Sequence, residues 1–394
     1  MFQVKTYNAI ASPGLKRFND DRYSLDAEAE NPDAILLRSY KLTTEELGSN
    51  LKAIARAGAG VNNVPVEACS ERGVVVFNTP GANANSVKEL VMTGMLLASR
   101  DVYGGLQYVR SLADISDEGE LNKLVEAEKK RFKGRELIGK TLGVVGLGAI
   151  GSMVARAGLD LGMNVIGYDP ALSVEAAWRI PAEVERMENM PSLFAKADYV
   201  SLHVPLLPAT EGMINAESLL SFKPGSVLLN FARQPIVDTA ALTQALKEGR
   251  IGKYVADFPV PGLIDHPQVM LTPHLGASTA EAEENCAVMA ANQLMSFLET
   301  GSIKNSVNFP EVIMAPSDGN RVAITNENVP GMLGKMTALL AERNINVVDL
   351  INKSRDGLAY NIIDLEKAPD DGLLQALGGI DSVINVRVVT SVED

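Results

Sequence analysis

Short apolar runs separated by amphipathic or polar stretches recur along the whole chain. Ala34–Arg38, Leu51–Arg56 and Val74–Phe77 read as buried strands ending in polar or glycine-containing turns. Short helices are predicted between them, over Thr44–Asn50 and Pro65–Arg72. Alternation of this kind predicts a parallel sheet covered on both faces. A long apolar helix follows over Ser86–Tyr103, and then a charged stretch from Asp114 to Lys133.

From Lys140 a second series begins, with strands predicted at Leu142–Val145, Asn164–Tyr168, Tyr199–Leu202, Ser226–Asn230, Tyr254–Ala256 and Val269–Leu271. Strands alternating with helices in this number match a doubly wound dinucleotide-binding sheet. A helix from about Ser278 to Glu299 carries Cys286 on its apolar side and stops at Gly301; Asn308–Pro316 is a proline-punctuated connector. The pattern then changes. Strands at Asn320–Thr325, Ile345–Asn352, Leu358–Leu365 and Val383–Val389, with helices at Pro330–Arg343 and Asp371–Leu377, give the order βαββαβ of a ferredoxin-like unit.

Composition narrows the function classes. At about 150 residues per domain, 394 residues predict two to three domains. A hydrophobic fraction of 46% with 22% charge is that of a well-cored chain and excludes intrinsic disorder. No uncharged apolar run approaches the ~18 residues of a membrane span. The opening MFQVKTYNAI lacks the basic-then-apolar pattern of a secretory signal. Cys69 and Cys286 stand singly and far apart, so neither a disulfide framework nor a metal site is predicted, and a reducing cytoplasm is the expected compartment. With 36 basic against 49 acidic residues the net charge is −13, which argues against nucleic acid or an anionic membrane as partner. A small anionic substrate remains compatible, because a local basic pocket can oppose the global sign.

The candidate chemistry lies at strand ends. Gly146-Leu147-Gly148-Ala149-Ile150-Gly151 follows a predicted strand and opens a helix. Gly146 suits a tight turn, Gly148 lets a pyrophosphate approach the backbone, and Gly151 lets the helix pack closely on the strand. Asp169, closing the next strand, can accept both ribose hydroxyls and repels a 2′-phosphate, so NAD is favoured over NADP. Of the three histidines, His203 and His274 directly follow strands, whereas His266 lies in a loop. His203 reads as lining the cofactor crevice. His274, in Thr272-Pro273-His274-Leu275-Gly276-Ala277-Ser278-Thr279, can exchange a proton with a substrate hydroxyl. Arg233, also at a strand end, can hold a carboxylate bidentately and polarise a carbonyl.

Arg38-Ser39, Ala55-Arg56-Ala57-Gly58-Ala59-Gly60-Val61, Gly146 to Gly151, His203-Val204-Pro205, Arg233 and Pro273 to Thr279 together resemble the D-2-hydroxyacid dehydrogenases in order and spacing. The resemblance implies a Rossmann NAD domain (96–279) inserted in a flavodoxin-like substrate domain (1–95 and 280–310). It implies oxidation of 3-phospho-D-glycerate to 3-phosphohydroxypyruvate, the first step of a phosphorylated route to L-serine, with His274 as general base and Arg233 on the substrate carboxylate and carbonyl oxygen. Ala149, Ile150, Pro205, Ala232, Asp257 and Gly276 join the glycines, Asp169 and His203 around NAD; Arg38, Ser39, Arg56, Gly58 and Asn83 lie around the substrate. Lys129-Lys130-Arg131 reads equally as a phosphate contact or as a solvated helix end.

The C-terminal residues 318–394 resemble an ACT domain through Asn326-Glu327-Asn328-Val329-Pro330-Gly331-Met332-Leu333 and Ile345-Asn346-Val347. That likeness implies serine binding at Asn326, Asn328 and Asn346 between paired domains, and a homodimer or homotetramer. One departure stands out. Where the family carries a glutamate that partners the histidine, this chain has Gly262, and no glutamate occurs between Arg250 and His274. Asp265 is the expected substitute, with Asp257 or water as the other readings. Two alternatives stay open: a dehydrogenase of another 2-hydroxy acid such as hydroxypyruvate, glycerate or lactate, and an NAD-sensing protein with weak chemistry.

Overall fold

The computed structural model describes residues 1–315 and 320–389. Pro316 of the expected connector, and residues 318, 319 and 390–394 of the expected C-terminal domain, lie outside them. The chain separates into two compact units, Met1–Asn83 with Ala280–Asp394, and Ala84–Thr279.

The first unit contains β1 (Phe2–Thr6), β2 (Tyr23–Leu25), β3 (Ala34–Leu37), β4 (Ala53–Arg56) and β5 (Val75–Phe77). They form an all-parallel sheet in the order β2-β1-β3-β4-β5, a flavodoxin-like winding. Every residue of β3 is buried, so its sequence shows an unbroken apolar run rather than alternation. The first two strands were not expected: β1 has one buried residue among half-buried and exposed ones, and β2 is a three-residue edge strand. The helix expected over Thr44–Asn50 is a single 3-10 turn, Thr44–Glu46, closed by a Thr43/Glu46 capping box. Helix Ala280–Thr300 buries Cys286, Ala290, Leu294 and Phe297 beside β4 and β5.

The same unit carries β13 (Asn320–Glu327), β14 (Val347–Arg355), β15 (Leu358–Leu365) and β16 (Val383–Val389) beyond the second unit's strands, with helices Met332–Glu342 and Asp371–Gly378. Their antiparallel sheet, ordered β14-β15-β13-β16, is the ferredoxin-like arrangement. Val322, Ile324 and Ile363 face the two helices. On the opposite face Ala323, Tyr360, Ile362 and Val389 share a core with Phe77, Phe297 and Phe309. Three donors from that face reach the C-terminal end of helix Ala280–Thr300. Arg387 Nη2 donates to Phe297 O at 2.8 Å, Arg321 Nη1 to Thr300 O at 2.9 Å, and the Tyr360 hydroxyl to Gly301 O at 2.9 Å. Arg321, only 3% exposed, also forms a two-pronged ion pair with Asp364 at 2.7 and 2.9 Å.

The second unit holds β6 (Thr141–Val145), β7 (Asn164–Tyr168), β8 (Glu185–Arg186), β9 (Tyr199–Leu202), β10 (Ser226–Asn230), β11 (Ile251–Ala256) and β12 (Val269–Leu271). All pair in parallel in the order β12-β11-β10-β9-β6-β7-β8, a doubly wound sheet whose order reverses between β6 and β9. β8 escaped the sequence reading because it is two exposed charged residues. Helix Ala84–Ser99 packs Val87, Val91, Met95 and Ala98 with Leu142, Val144 and Val227 of this sheet. The unit boundary therefore falls before residue 84, ahead of the expected 95.

The single helix expected over Ser86–Tyr103 is two. Asp101 interrupts it, its carboxylate accepting the Gly104 amide at 3.0 Å to start helix Val102–Ser111. The charged stretch forms helix Glu118–Glu128 and a 3-10 turn, Lys129–Phe132. Among the described residues no helix is long and apolar enough to cross a membrane.

Candidate active site

The carboxyl ends of β6, β9, β10, β11 and β12 collect the candidate residues of the second unit, as expected for ligand binding at the switch point of an open parallel sheet. After β6 the chain turns at Gly146, whose φ of +88° is in the left-handed region. A side-chain carbon there would sit 2.8 Å from the His203 carbonyl. At Gly151 it would sit 1.9 Å from Gly146 O, so helix Ala149–Asp160 can approach the turn only because that residue is glycine. Gly148 faces open space and caps the helix without a side chain. The first-turn amides of Ala149, Ile150 and Gly151 thus stay available to an anion at the positive end of the helix dipole.

Asp169 follows β7. One carboxylate oxygen accepts the Leu147 amide at 2.8 Å and the other the Ala171 amide at 2.9 Å, which fixes the side chain beside the glycine turn with lone pairs to spare for ribose hydroxyls. His203, after β9, is half-buried as a residue while its ring nitrogens are enclosed: Nε2 lies 2.8 Å from Ser201 Oγ, and Nδ1 is buried without a partner. Burial pushes its pKa down to about 3, so the ring is neutral at neutral pH. It is no proton-transfer group. The orphaned Nδ1 and the glycine cradle both fit a dinucleotide, and they are the features this chain would present to NAD. Pro205 O accepts the Thr210 hydroxyl, and the buried Ala232 amide donates to Asn230 Oδ1 at 3.2 Å.

Arg233 is exposed at the end of β10; its Nη1 donates to Ala232 O at 2.6 Å, and among the described residues it has no carboxylate partner. Asp257, at the end of β11 and 2% exposed, accepts from Thr272 Oγ1 at 2.6 Å, Leu275 N at 2.7 Å and Gly276 N at 2.6 Å. It anchors the loop on both sides of His274. Gly276 is held again through its carbonyl, which accepts the Ser86 hydroxyl at 2.8 Å. His274 is exposed and has a φ of +61°, uncommon for any residue but glycine. Its imidazole has no carboxylate partner among the described residues. Asp265 makes no hydrogen bond or ion pair with it, and the Asp257 oxygens are occupied. The ring instead meets Phe258, centroid to centroid at 5.0 Å and inclined by 63°. Phe258 was not foreseen, because only the folded loop brings it to His274.

In the first unit Arg38 and Ser39 follow β3, and Arg56 ends β4. Arg38 Nη2 pairs with Glu283 at 2.7 Å, and Arg56 Nε donates to Arg38 O at 3.0 Å. The Arg56 guanidinium lies so close over Gly58 that a side-chain carbon there would come within 1.7 Å of it. Ser39 N donates to Asn8 Oδ1 at 3.2 Å, and Asn83 ends the segment just before helix Ala84–Ser99. Glu283 is a second residue sequence reasoning missed. Lys129 and Arg131 are exposed and ion-paired to Glu126 and Glu128 of the preceding helix, in keeping with a solvated helix end.

In the antiparallel sheet Asn326 is buried, donating to Glu327 O at 2.6 Å and accepting from Asn361 Nδ2 at 2.7 Å. The exposed Asn328 donates to Asp356 O at 3.2 Å. Asn346, whose carbonyl accepts the Glu366 amide, stands at the other end of the sheet: Asn326 aligns with Ala359, at the start of β15, and Val347 with Leu365, at its end. One copy of the chain therefore does not bring the three asparagines together. Burial raises the thiol pKa of both cysteines, Cys69 to about 12, and both are free. Among the described residues no group of three or more potential metal ligands occurs.

Residues 102–276 match the family model described as D-isomer specific 2-hydroxyacid dehydrogenase, NAD binding domain. The chain is 37% identical over 372 residues to a D-3-phosphoglycerate dehydrogenase of Methanocaldococcus jannaschii, spanning 91% of this chain and 67% of that protein. It is 33% identical to the D-3-phosphoglycerate dehydrogenase of Escherichia coli K12, over 98% of this chain and 95% of the relative. A solved NAD+-bound 3-phosphoglycerate dehydrogenase of Entamoeba histolytica superposes with a TM-score of 0.61 at 27% identity, covering 78% of this chain and 98% of that structure.

Proposed function

Because the chain belongs to the D-isomer specific 2-hydroxyacid dehydrogenase family and is an NAD-dependent oxidoreductase, we propose that its substrate is 3-phospho-D-glycerate, oxidised to 3-phosphohydroxypyruvate. The observation that carries this reading is the convergence of the glycine turn, Arg233 and His274 on the carboxyl ends of one parallel sheet, in a chain whose full-length relatives bear that name. Held by Gly146 to Gly151, Asp169 and His203, NAD would supply the hydride acceptor for the carbinol carbon. The residues do the rest. Arg233, with no carboxylate of its own, holds the substrate carboxylate and polarises the oxygen that becomes a carbonyl. His274 accepts the hydroxyl proton as the C–H bond breaks, and returns it in the reverse direction. Gly146 to Gly151 seat the pyrophosphate, Asp169 the ribose, and His203 lines the crevice as a neutral ring. Arg38, Ser39, Arg56, Gly58 and Asn83 are assigned, on the family resemblance, to the surroundings of the substrate.

The residues 320–389 serve as an ACT-type module. Serine binding at Asn328, Asn326 and Asn346 needs two copies of the chain, since these groups stand at opposite ends of one sheet. A homodimer is further supported by the apolar groove lined by Leu106, Val109, Val125 and Phe132, beside exposed Val102 and Tyr103. Two buried free thiols suit a cytoplasmic location.

NADH formation with 3-phosphoglycerate, glycerate and lactate, each with and without serine, tests the reading. Turnover confined to the phosphorylated acid supports it; equal turnover of the others overturns the substrate. The unpaired imidazole of His274 favours one rival, an NAD-binding sensor, which would bind NAD and turn over none of the acids.

A further inference from the structure

We propose that Phe258 is a positioning residue for His274, fixing the plane and direction of an imidazole that no carboxylate holds. The proposal rests on the reading of His274 as the proton acceptor.

Two sets of contacts act on this histidine, one on its backbone and one on its ring. The backbone is clamped by Asp257, whose buried carboxylate accepts the Thr272 hydroxyl on one side and the Leu275 and Gly276 amides on the other. That clamp keeps residue 274 at a φ of +61° and fixes where its side chain starts. It leaves the two side-chain torsions free. A ring with an anionic partner would be oriented by a hydrogen bond at one nitrogen. Here the imidazole meets the ring of Phe258, at 5.0 Å and 63°, an edge-to-face geometry that favours one orientation over others.

The arrangement has a chemical merit of its own. Among the described residues no hydrogen bond takes up either ring nitrogen, so both stay open for proton exchange. Phe258 directly follows Asp257, so one strand end sets both the backbone and the ring of His274. The half-buried phenyl ring is itself followed by the buried Val260 and Leu263, which hold its segment.

Phe258→Leu keeps an apolar side chain and removes the ring; Phe258→Tyr keeps the ring. We expect Phe258→Leu to lower kcat about fivefold, the worth of one aromatic pair, with the KM for 3-phosphoglycerate and the NAD dissociation constant within about twofold of the parent. Phe258→Tyr should retain parental kcat. Unchanged kcat in Phe258→Leu overturns the proposal, as does a Phe258→Tyr enzyme that falls equally far or a Phe258→Leu enzyme that loses NAD affinity in step with kcat. His274→Ala separates the two levels: if it keeps parental turnover, the proton-acceptor reading itself fails and the proposal with it.

Discussion

The carboxyl edge of the seven-stranded sheet and the docked face of the four-stranded sheet both gather polar side chains, and they treat them in opposite ways. On β13 and β15 the buried groups are closed. On the docked face Arg321 binds Asp364 with two prongs and reaches two backbone carbonyls besides, and on the helix-covered face Asn326 and Asn361 bond one another. At the edge of the seven-stranded sheet Asp257 is likewise closed, but other groups stay open: among the described residues the exposed Arg233 has no carboxylate partner, the exposed His274 imidazole has no hydrogen bond, and His203 Nδ1 is buried without a partner. Satisfied polar groups hold surfaces together, and unsatisfied ones wait for a ligand.

Breaking the open side should produce the largest effect. His274→Ala should reduce turnover by roughly 10²–10⁴-fold while moving stability little, since the ring is exposed and unpaired. Steady-state NADH formation beside urea unfolding checks both halves, and a large stability loss would erase the contrast. The closed side should respond the other way. Asp364→Asn strands the buried Arg321 charge and should cost about 3 kcal/mol of unfolding free energy, with turnover per folded molecule unchanged.

His203 lies between the two classes, with one nitrogen satisfied and one open, and it should give the smallest effect. Its folded pKa of about 3 lies below the ordinary 6.5, so the unfolded chain binds the extra proton between those values. Stability is then full above pH 6.5 and falls as the pH drops towards 3. His203→Gln should lose less stability than the parent between pH 7 and pH 5 in urea titrations. An equal loss would mean the imidazole is not held neutral.

Much of this was legible in the chain. Four of the six strands expected in the dinucleotide unit, Asn164–Tyr168, Tyr199–Leu202, Ser226–Asn230 and Val269–Leu271, have the expected limits, because the strands of a sheet covered on both faces leave apolar runs between glycine and polar turns; the two central ones, Tyr199–Leu202 and Ser226–Asn230, are buried throughout. Gly146 and Gly151 were readable because close backbone approach admits no other residue type, whereas Gly148, facing open space, was readable only from the spacing of the motif. Illegible features depend on distant neighbours. The Arg321–Asp364 pair spans 43 positions, and Arg38 finds Glu283 across 245. Asp257 was named by resemblance alone, and only the folded loop reveals that it braces the amides around His274 instead of pairing with the ring. The break at Asp101 was hidden by an apolar pattern that continues through it, where the carboxylate's local bond to Gly104 outweighs helix continuity.

Arg321, Tyr360 and Arg387, closing the carbonyls of Thr300, Gly301 and Phe297, carry a lesson for protein engineers. Those carbonyls form the negative pole of a 21-residue helix, and two of their three donors are cationic. A regulatory module grafted here from another enzyme would have to bring equivalent donors in equivalent places. Simple truncation would bare both the helix pole and the aromatic cluster of Phe77, Phe297 and Phe309. The tail is built as a wall of the enzyme, not as an interchangeable cassette.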